Sequence, residues 1–134
     1  QIVPAPVLRK SHKPSKIGVI YYGSTSPSML EAFELLEKEG IHLNGLRLGA
    51  FPFADVVKEF IHDQDLVFVV EQNRDAQMRT LLINELEIDP AHLIKVLHYD
   101  GTPITARFIH AAIRDRLKQS DSPKKTSKKS KELA

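Results

Sequence analysis

The segment LVFVVEQNRDAQMRTLL, residues Leu66–Leu82, indicates the fold more clearly than any other part of the chain. It begins with the most continuous apolar run in the sequence, as expected of a central parallel strand buried on both faces. A polar block, Glu71–Asp75, ends that run, and an apolar helical pattern follows over Ala76–Leu86. The segment therefore predicts a buried strand, a polar turn at its carboxyl end and a helix.

Short strands and helices alternate through the rest of the chain. Strand composition is found at Ile2–Leu8, Ile17–Tyr22, Ile41–Leu48 and Leu93–Tyr99, and helical apolar spacing at MLEAFELLEKEG (29–40), Asp55–His62 and Thr105–Leu117. Ser26 as N-cap, Pro27 at the first helical position and Gly40 beyond the end mark the limits of the first helix. This alternation predicts an α/β fold, an open and mostly parallel sheet with helices on both faces.

Composition limits the organisation and the chemistry of the chain. With 134 residues, 42% of them hydrophobic, the sequence is long enough for one compact domain, which we place at residues 1–118. From about Gln119 onward Lys and Ser dominate, so residues 119–134 are expected to form a disordered tail. The formal net charge of +2 gives no argument for nucleic acid. The chain has no cysteine, which excludes disulfides and cysteine-ligated metal on it.

No apolar stretch approaches the ~20 residues that span a bilayer, and the N-terminal residues show no signal-peptide pattern. We therefore expect a cytoplasmic protein that does not bind membranes. The six histidines form no HxH or HxxxH pair, so a metal site is not expected.

Three loops after strand ends carry polar chemistry: YYGSTSPS (21–28), VVEQNRDAQ (69–77) and LHYDGTPIT (97–105). In an open parallel sheet such loops lie along one edge, where ligands usually bind. The first loop could bind an anion at a helix N-terminus, but helix capping explains it better. In the third, His98 and Asp100 could act as a base and its orienting group, although structural pairing on one strand face is favoured.

The polar block of the second loop is only partly explained by helix capping. Asn73 suits an N-cap and Asp75 suits a first helical turn. Glu71, Gln72 and Arg74 have no such explanation, and functional or interface use of the block is as well supported as a structural role.

Three quoted segments together resemble one known family. They are similar to the C-terminal domain of the alpha subunit of 2-oxoacid:ferredoxin oxidoreductases, nearest to the 2-oxoglutarate type. The three segments are IGVIYYGSTSPSMLEAFELLEKEGIHLNGLRLGAFPF, VVEQNRDAQMRTLL and LHYDGTPITARFI. The likeness covers about Ile17 to Ile113, and its most specific parts are Glu71–Gln77 and His98–Gly101. The resemblance implies a three-layer αβα sandwich like the C-terminal domain of transketolase. Its five-stranded sheet would have the order 1-3-2-4-5, with Ile2–Leu8 as the antiparallel strand.

The resemblance also implies an activity for the whole enzyme: oxidative decarboxylation of a 2-oxoacid to its acyl-CoA. Thiamine diphosphate, magnesium, an iron–sulfur cluster and coenzyme A are then expected on other domains or on the beta subunit, with ferredoxin as electron acceptor. No catalytic residue is carried over to this chain. The interface candidates, facing the rest of the alpha subunit and the beta subunit, are Glu71, Gln72, Asn73, Arg74, Gln77, His98, Tyr99 and Asp100.

Two other classes of function stay open from the residues alone. The YYGSTSPS loop also resembles the phosphate loop of flavodoxins, which would make the chain a flavin-binding electron carrier. Pro27 argues against this function because it removes an amide from the loop. The second alternative is a plain interaction module whose lysine-rich tail contacts acidic partners.

Overall fold

The computed structural model describes residues 6–49, 55–72, 78–98 and 104–133, with backbone alone for Ser24, Gln72 and 120–133. The strands of the described residues are β1 (Val7–Arg9), β2 (Ile17–Tyr22), β3 (Asn44–Leu48), β4 (Leu66–Gln72) and β5 (Leu93–His98). They form one sheet in the order β1-β3-β2-β4-β5. Only β1 runs antiparallel to its neighbour, and the other pairs are parallel. The predicted order and direction of the strands are confirmed.

Four α-helices of the described residues cover the two faces of the sheet: α1 (Ser26–Lys38), α2 (Asp55–Asp63), α3 (Met78–Leu86) and α4 (Ala106–Leu133). On one face, Phe68 and Val70 of β4 pack with Phe33 of α1 and Ile109 of α4. On the other face, side chains of α2 and α3 form the second core with Val67, Val69 and neighbouring strand residues. The molecule is therefore the three-layer sandwich that the sequence predicts, and β4 is buried on both faces.

Two strand glycines show how closely the helices approach the sheet. A Cβ atom on Gly45 of β3 would lie 2.6 Å from Cζ of Phe33, and one on Gly18 of β2 would lie 2.8 Å from Cζ of Phe60. Neither distance is possible without a shift of the aromatic ring. The sequence thus uses glycine where a helix aromatic ring rests directly on a strand.

Some predicted element limits differ from those of the structure. Ser26 is the first residue of α1 with helical φ and ψ, not its N-cap, and Thr25 before it makes no side-chain capping bond. Gly40, at φ of +82°, takes the left-handed conformation expected beyond the helix end. Strand β3 starts at Asn44, three residues later than predicted. Residues 1–5, which include most of the predicted first strand, lie outside the described residues.

The last helix extends beyond the predicted Thr105–Leu117. Its backbone is helical as far as Leu133. The disordered tail expected for residues 119–134 stays a prediction. The described core contacts of α4 come from its first part, where Ile109 and Ile113 are buried and Leu117 is partly buried. A stable unit at residues 1–118 therefore stays a prediction.

Candidate functional site

The three polar loops start at the same edge of the sheet. β2, β4 and β5 are parallel, and their ends are in register: Tyr21 pairs with Val70, and Gln72 pairs with His98. The edge at which β2, β3, β4 and β5 end is here called the carboxyl rim. This geometry brings the starts of all three predicted loops to one side of the domain, as an open parallel sheet requires.

Glu71, in the polar block that follows the apolar run, is a buried helix cap. Its side chain is 1% exposed, and it points to the face that is covered by α3. One carboxylate oxygen accepts a hydrogen bond from the Met78 amide at 3.0 Å, and the other accepts from the Arg79 amide at 3.2 Å. The expectation that Glu71 is exposed is therefore wrong, because the amides of Met78 and Arg79 donate to both of its oxygens.

The environment of Glu71 acts on its protonation in two opposing ways. Burial raises the pKa of the carboxyl group above its usual value, while the hydrogen bonds from the amides of Arg79 and Met78 lower it, as do the charges of Lys95 and Arg79. Burial is the largest effect, so the net pKa is raised. A raised pKa is often a sign of catalysis, but here it belongs to a group that is held by a helix end.

Arg79 fixes the other side of the same helix end. Its Nε atom donates to the carbonyl of Leu93 at 3.0 Å, and Nη2 donates to the carbonyl of Pro90 at 2.9 Å. The start of α3 is thereby tied to β4 through Glu71 and to the beginning of β5 through Arg79. Sequence reasoning missed Arg79, although a cation in the first turn of a helix is itself a sign that the side chain has another partner.

The structure does not describe most of the remaining candidates. Those outside the described residues are Asn73, Arg74, Gln77, Tyr99, Asp100 and the side chain of Gln72. Their use at an interface stays a prediction.

His98 is the described candidate on β5, and its ring packs edge-on against the ring of Phe108 at a centroid distance of 5.0 Å and an interplanar angle of 72°. This contact joins the end of β5 to α4. Its pairing with Asp100 is not described, and the packing on Phe108 supports the structural interpretation of His98 over an acid–base role.

The residues of the first loop are buried in part and connect α1 to the residues before α4. Gly23–Thr25 form a short 3₁₀ turn, and Thr25 is 3% exposed. The hydroxyl of Ser28 donates to the carbonyl of Ile104 at 2.9 Å, which joins the start of α1 to the residues before α4. These contacts support a structural role for the loop over an anion-binding role.

A second polar network lies at the opposite end of the sheet, and sequence reasoning missed it. The side-chain oxygen of Asn44 accepts from the Ser11 amide at 3.0 Å. Its amide group donates to the carbonyl of Ser15 at 3.0 Å and to Oε1 of Gln64 at 3.2 Å. The first two of these bonds hold both ends of the SHKPS loop (11–15) against β3, and the third joins β3 to the residue that follows α2. No sequence pattern predicts that an asparagine at the start of a strand is buried.

Within residues 6–49, 55–72, 78–98 and 104–133, no three His, Asp or Glu side chains are grouped in a way that could hold a metal ion. In the same residues, no helix is long and apolar enough to cross a membrane.

Comparison with solved structures defines the class of fold. The 2-oxoglutarate:ferredoxin oxidoreductase of Magnetococcus marinus, solved with 2-oxoglutarate, coenzyme A and succinyl-CoA bound, matches with a TM-score of 0.71 at 21% identity over 84% of this chain and 19% of that one. A split gene transketolase, described as an inactive β4 tetramer, matches with a TM-score of 0.64 at 21% identity over 82% of this chain and 40% of that one. The chain is thus a transketolase-like α/β domain.

More similar sequences identify the family. The alpha chain of a "probable 2-oxoacid ferredoxin oxidoreductase" from Thermoplasma acidophilum is 31% identical, with a TM-score of 0.57 over 85% of this chain and 97% of that one. Alpha subunits of 2-oxoacid:ferredoxin oxidoreductases from Saccharolobus solfataricus and Aeropyrum pernix are 30% and 27% identical over 67% and 75% of this chain. The chain belongs to the family of 2-oxoacid:ferredoxin oxidoreductase alpha subunits.

The chain spans only 14% and 16% of the length of these two curated relatives. No family model matches it.

Proposed function

We propose that this chain is the C-terminal domain of the alpha subunit of a 2-oxoglutarate:ferredoxin oxidoreductase, and that it supports assembly without supplying a catalytic residue. The whole enzyme would convert the 2-oxoacid to its acyl-CoA with thiamine diphosphate and magnesium, and pass electrons through an iron–sulfur cluster to ferredoxin. The residues of this chain do not fit the cluster, because the chain has no cysteine. The cluster would therefore lie on the remaining domains of the alpha subunit or on the beta subunit, and the proposal places thiamine diphosphate and magnesium there as well.

The geometry of Glu71 is the observation that best supports an assembly role. This carboxylate lies at the carboxyl rim, where a catalytic acid or base would be expected, yet both of its oxygens accept hydrogen bonds from the amides of α3. Its ionised form serves to position the segment that leads from β4 to α3. That segment contains Arg74 and the other residues that most resemble the family. A fixed frame on both sides of residues 73–77 is what an interface between domains requires.

The experiment compares one substitution in two settings. Arg74→Ala in the isolated chain should change the free energy of unfolding by less than about 1 kcal/mol, as for a surface group. In the complete enzyme the same substitution should weaken assembly with the beta subunit and lower turnover of 2-oxoglutarate, because removal of one partner of a desolvated charge pair is costly. Lys58→Ala on the exposed side of α2 is the control, and it should affect neither measurement.

Two results would contradict the proposal. The first is loss of stability of the isolated chain with Arg74→Ala, in proportion to the loss of enzyme activity, since this would place Arg74 in an internal ion pair. The second is turnover of 2-oxoacid and coenzyme A by the purified chain when thiamine diphosphate, magnesium and an electron acceptor are added.

A further inference from the structure

A groove lies between the edge strand β1 and helix α2, on the side of the domain away from the carboxyl rim. Its apolar part, about 210 Å³ in volume, has Leu46 and Phe60 as its buried floor and Leu8 and Val56 as its walls. Leu8 is 50% exposed and Val56 is 41% exposed, although both are apolar. We name this feature, together with the basic part described next, the β1–α2 groove.

The basic part of the β1–α2 groove adjoins the apolar part, and the two share Lys10, Asn44, Asp63 and Gln64 as lining residues. It has a volume of about 540 Å³. Four basic side chains and one carboxylate line it: Lys10, His12, Lys13, Lys16 and Asp63. Glu59 adds a second carboxylate in the apolar part, so the three lysines of the whole groove exceed its carboxylates by one charge. Excess positive charge in a concave surface attracts carboxylates.

The loop that carries this charge is held in one conformation. Asn44 binds both ends of residues 11–15, and the Ser15 hydroxyl donates to the His42 carbonyl at 2.6 Å. Lys16 donates from Nζ to the Asp63 carbonyl at 3.2 Å. In the described part of the chain, by contrast, Lys10 and Lys13 form no salt bridge. Their ammonium groups are therefore available to a partner on a preorganised frame.

The edge of the sheet beside the groove is also available. β1 pairs with β3 along one side, and no strand of the described ranges pairs with its other side. Leu8 lies opposite Leu46 in the register and faces the groove with it. An open edge next to an apolar pocket is the arrangement by which proteins bind an extended peptide as an added strand.

We propose that the β1–α2 groove binds an extended acidic segment of the same alpha subunit, from outside these 134 residues. The segment would pair with the free edge of β1, place one apolar side chain between Leu8 and Val56, and place a carboxylate against Lys10 and Lys13. An alpha-subunit segment is favoured as the occupant because the proposed function makes this chain one domain of a longer subunit, as long as the two curated relatives. An acidic sequence is favoured by the charge of the groove. The inference deepens the proposed assembly function and rests on it.

The test uses the complete alpha subunit in its complex with the beta subunit. A photoreactive phenylalanine analogue replaces Leu8, and the cross-linked peptide is identified by mass spectrometry. The expected product is a peptide of the alpha subunit that lies outside this domain and contains apolar and acidic residues. Lys10→Glu together with Lys13→Glu should lower the cross-linked fraction roughly tenfold by replacing attraction with repulsion. Lys58→Glu, the same charge change on α2 outside the groove, should leave it unchanged.

Cross-links only to the beta subunit or to a second copy of the chain would overturn the inference, as would the absence of any cross-link above that of an analogue placed at Lys58. Insensitivity to the two charge reversals would overturn it as well. Each of these results leaves the proposed assembly function intact if the complex still needs the domain. A complex that forms with full activity after deletion of the domain would instead overturn the proposed function.

Discussion

The carboxylate of Glu71 accepts a hydrogen bond from the backbone amide of Met78 at 3.0 Å, across the loop that carries the residues most typical of the family. The last part of β4 and the first turn of α3 are therefore fixed to each other independently of the loop between them. We therefore expect that substitutions in residues 73–77 leave the position of both elements unchanged.

Replacement of Glu71 by Gln should destabilise the domain. The side-chain amide would set a donor against the Arg79 amide, which is also a donor, and leave that group unpaired. We expect a loss of about 1–3 kcal/mol in the free energy of unfolding, the usual cost of a buried unsatisfied group. Urea denaturation measures it, with Glu85→Gln on the exposed face of α3 as the matched control. Equal stability of the two variants would show that Glu71 does not cap α3.

Replacement of Asn44 by Asp should also destabilise the domain, at the other end of the sheet. Aspartate keeps an acceptor for the Ser11 amide but has no donor for the Ser15 carbonyl or for Gln64. A loss of roughly 1–3 kcal/mol is expected. Asn84→Asp, exposed on α3, should be within about 0.5 kcal/mol of the wild type. Limited proteolysis supplies a second measurement, because the SHKPS loop should be cut faster in Asn44→Asp alone.

Replacement of Gly45 by Ala should force the ring of Phe33 to move, because the new methyl group would lie 2.6 Å from its Cζ atom. Overpacking of this kind costs about 1–3 kcal/mol. Gly23→Ala is the control, since a Cβ atom there meets its first neighbour only at 3.9 Å. The Phe33→Leu background should reduce the cost of Gly45→Ala. A cost that is the same in both backgrounds would exclude Phe33 as its cause.

Tyr21 should make the stability of the domain sensitive to alkaline pH. Burial raises the pKa of its hydroxyl, while the nearby Arg47 and Arg9 lower it, with burial as the largest effect. A raised folded-state pKa gives a contribution that is complete below the unfolded pKa of about 10 and is lost as the pH rises through the folded value. Between about pH 9 and about pH 11, Tyr21→Phe should therefore lose less stability than the wild type. Denaturant melts at each pH test this, and parallel curves for both proteins would contradict it.

Truncation after Lys118 should leave the melting temperature unchanged within error. The described core contacts of α4 end at Leu117, and the following residues are mostly Lys and Ser, with little apolar surface to bury. Truncation after Arg114 is the control, and it should lower the melting temperature because it removes Leu117. A large drop in melting temperature on truncation after Lys118 would mean that residues 119–134 dock on the domain.

The sequence predicts the layers of this fold well because hydrophobic periodicity determines them. The continuous apolar run before Glu71 can only be a strand covered on both faces, and the structure places it there. The strand order and the antiparallel β1 came from resemblance, since no local pattern records which strands are neighbours. Hydrophobic periodicity does not predict individual polar contacts either. From the sequence, interface use and a structural role of Glu71 were equally supported, and Asn44 was missed. The hydrogen-bond partners of both side chains lie outside their own strands.

The position of β1 has a consequence for the order of folding. β1 precedes β2 in the chain but hydrogen-bonds to β3, so its contacts cannot form until the β2–α1–β3 unit has closed. It then gains only three residue pairs, along a single neighbour. We expect β1 to join the sheet last during folding. In the native state its amide protons should exchange faster than those of the other four strands, and much faster than those of β4.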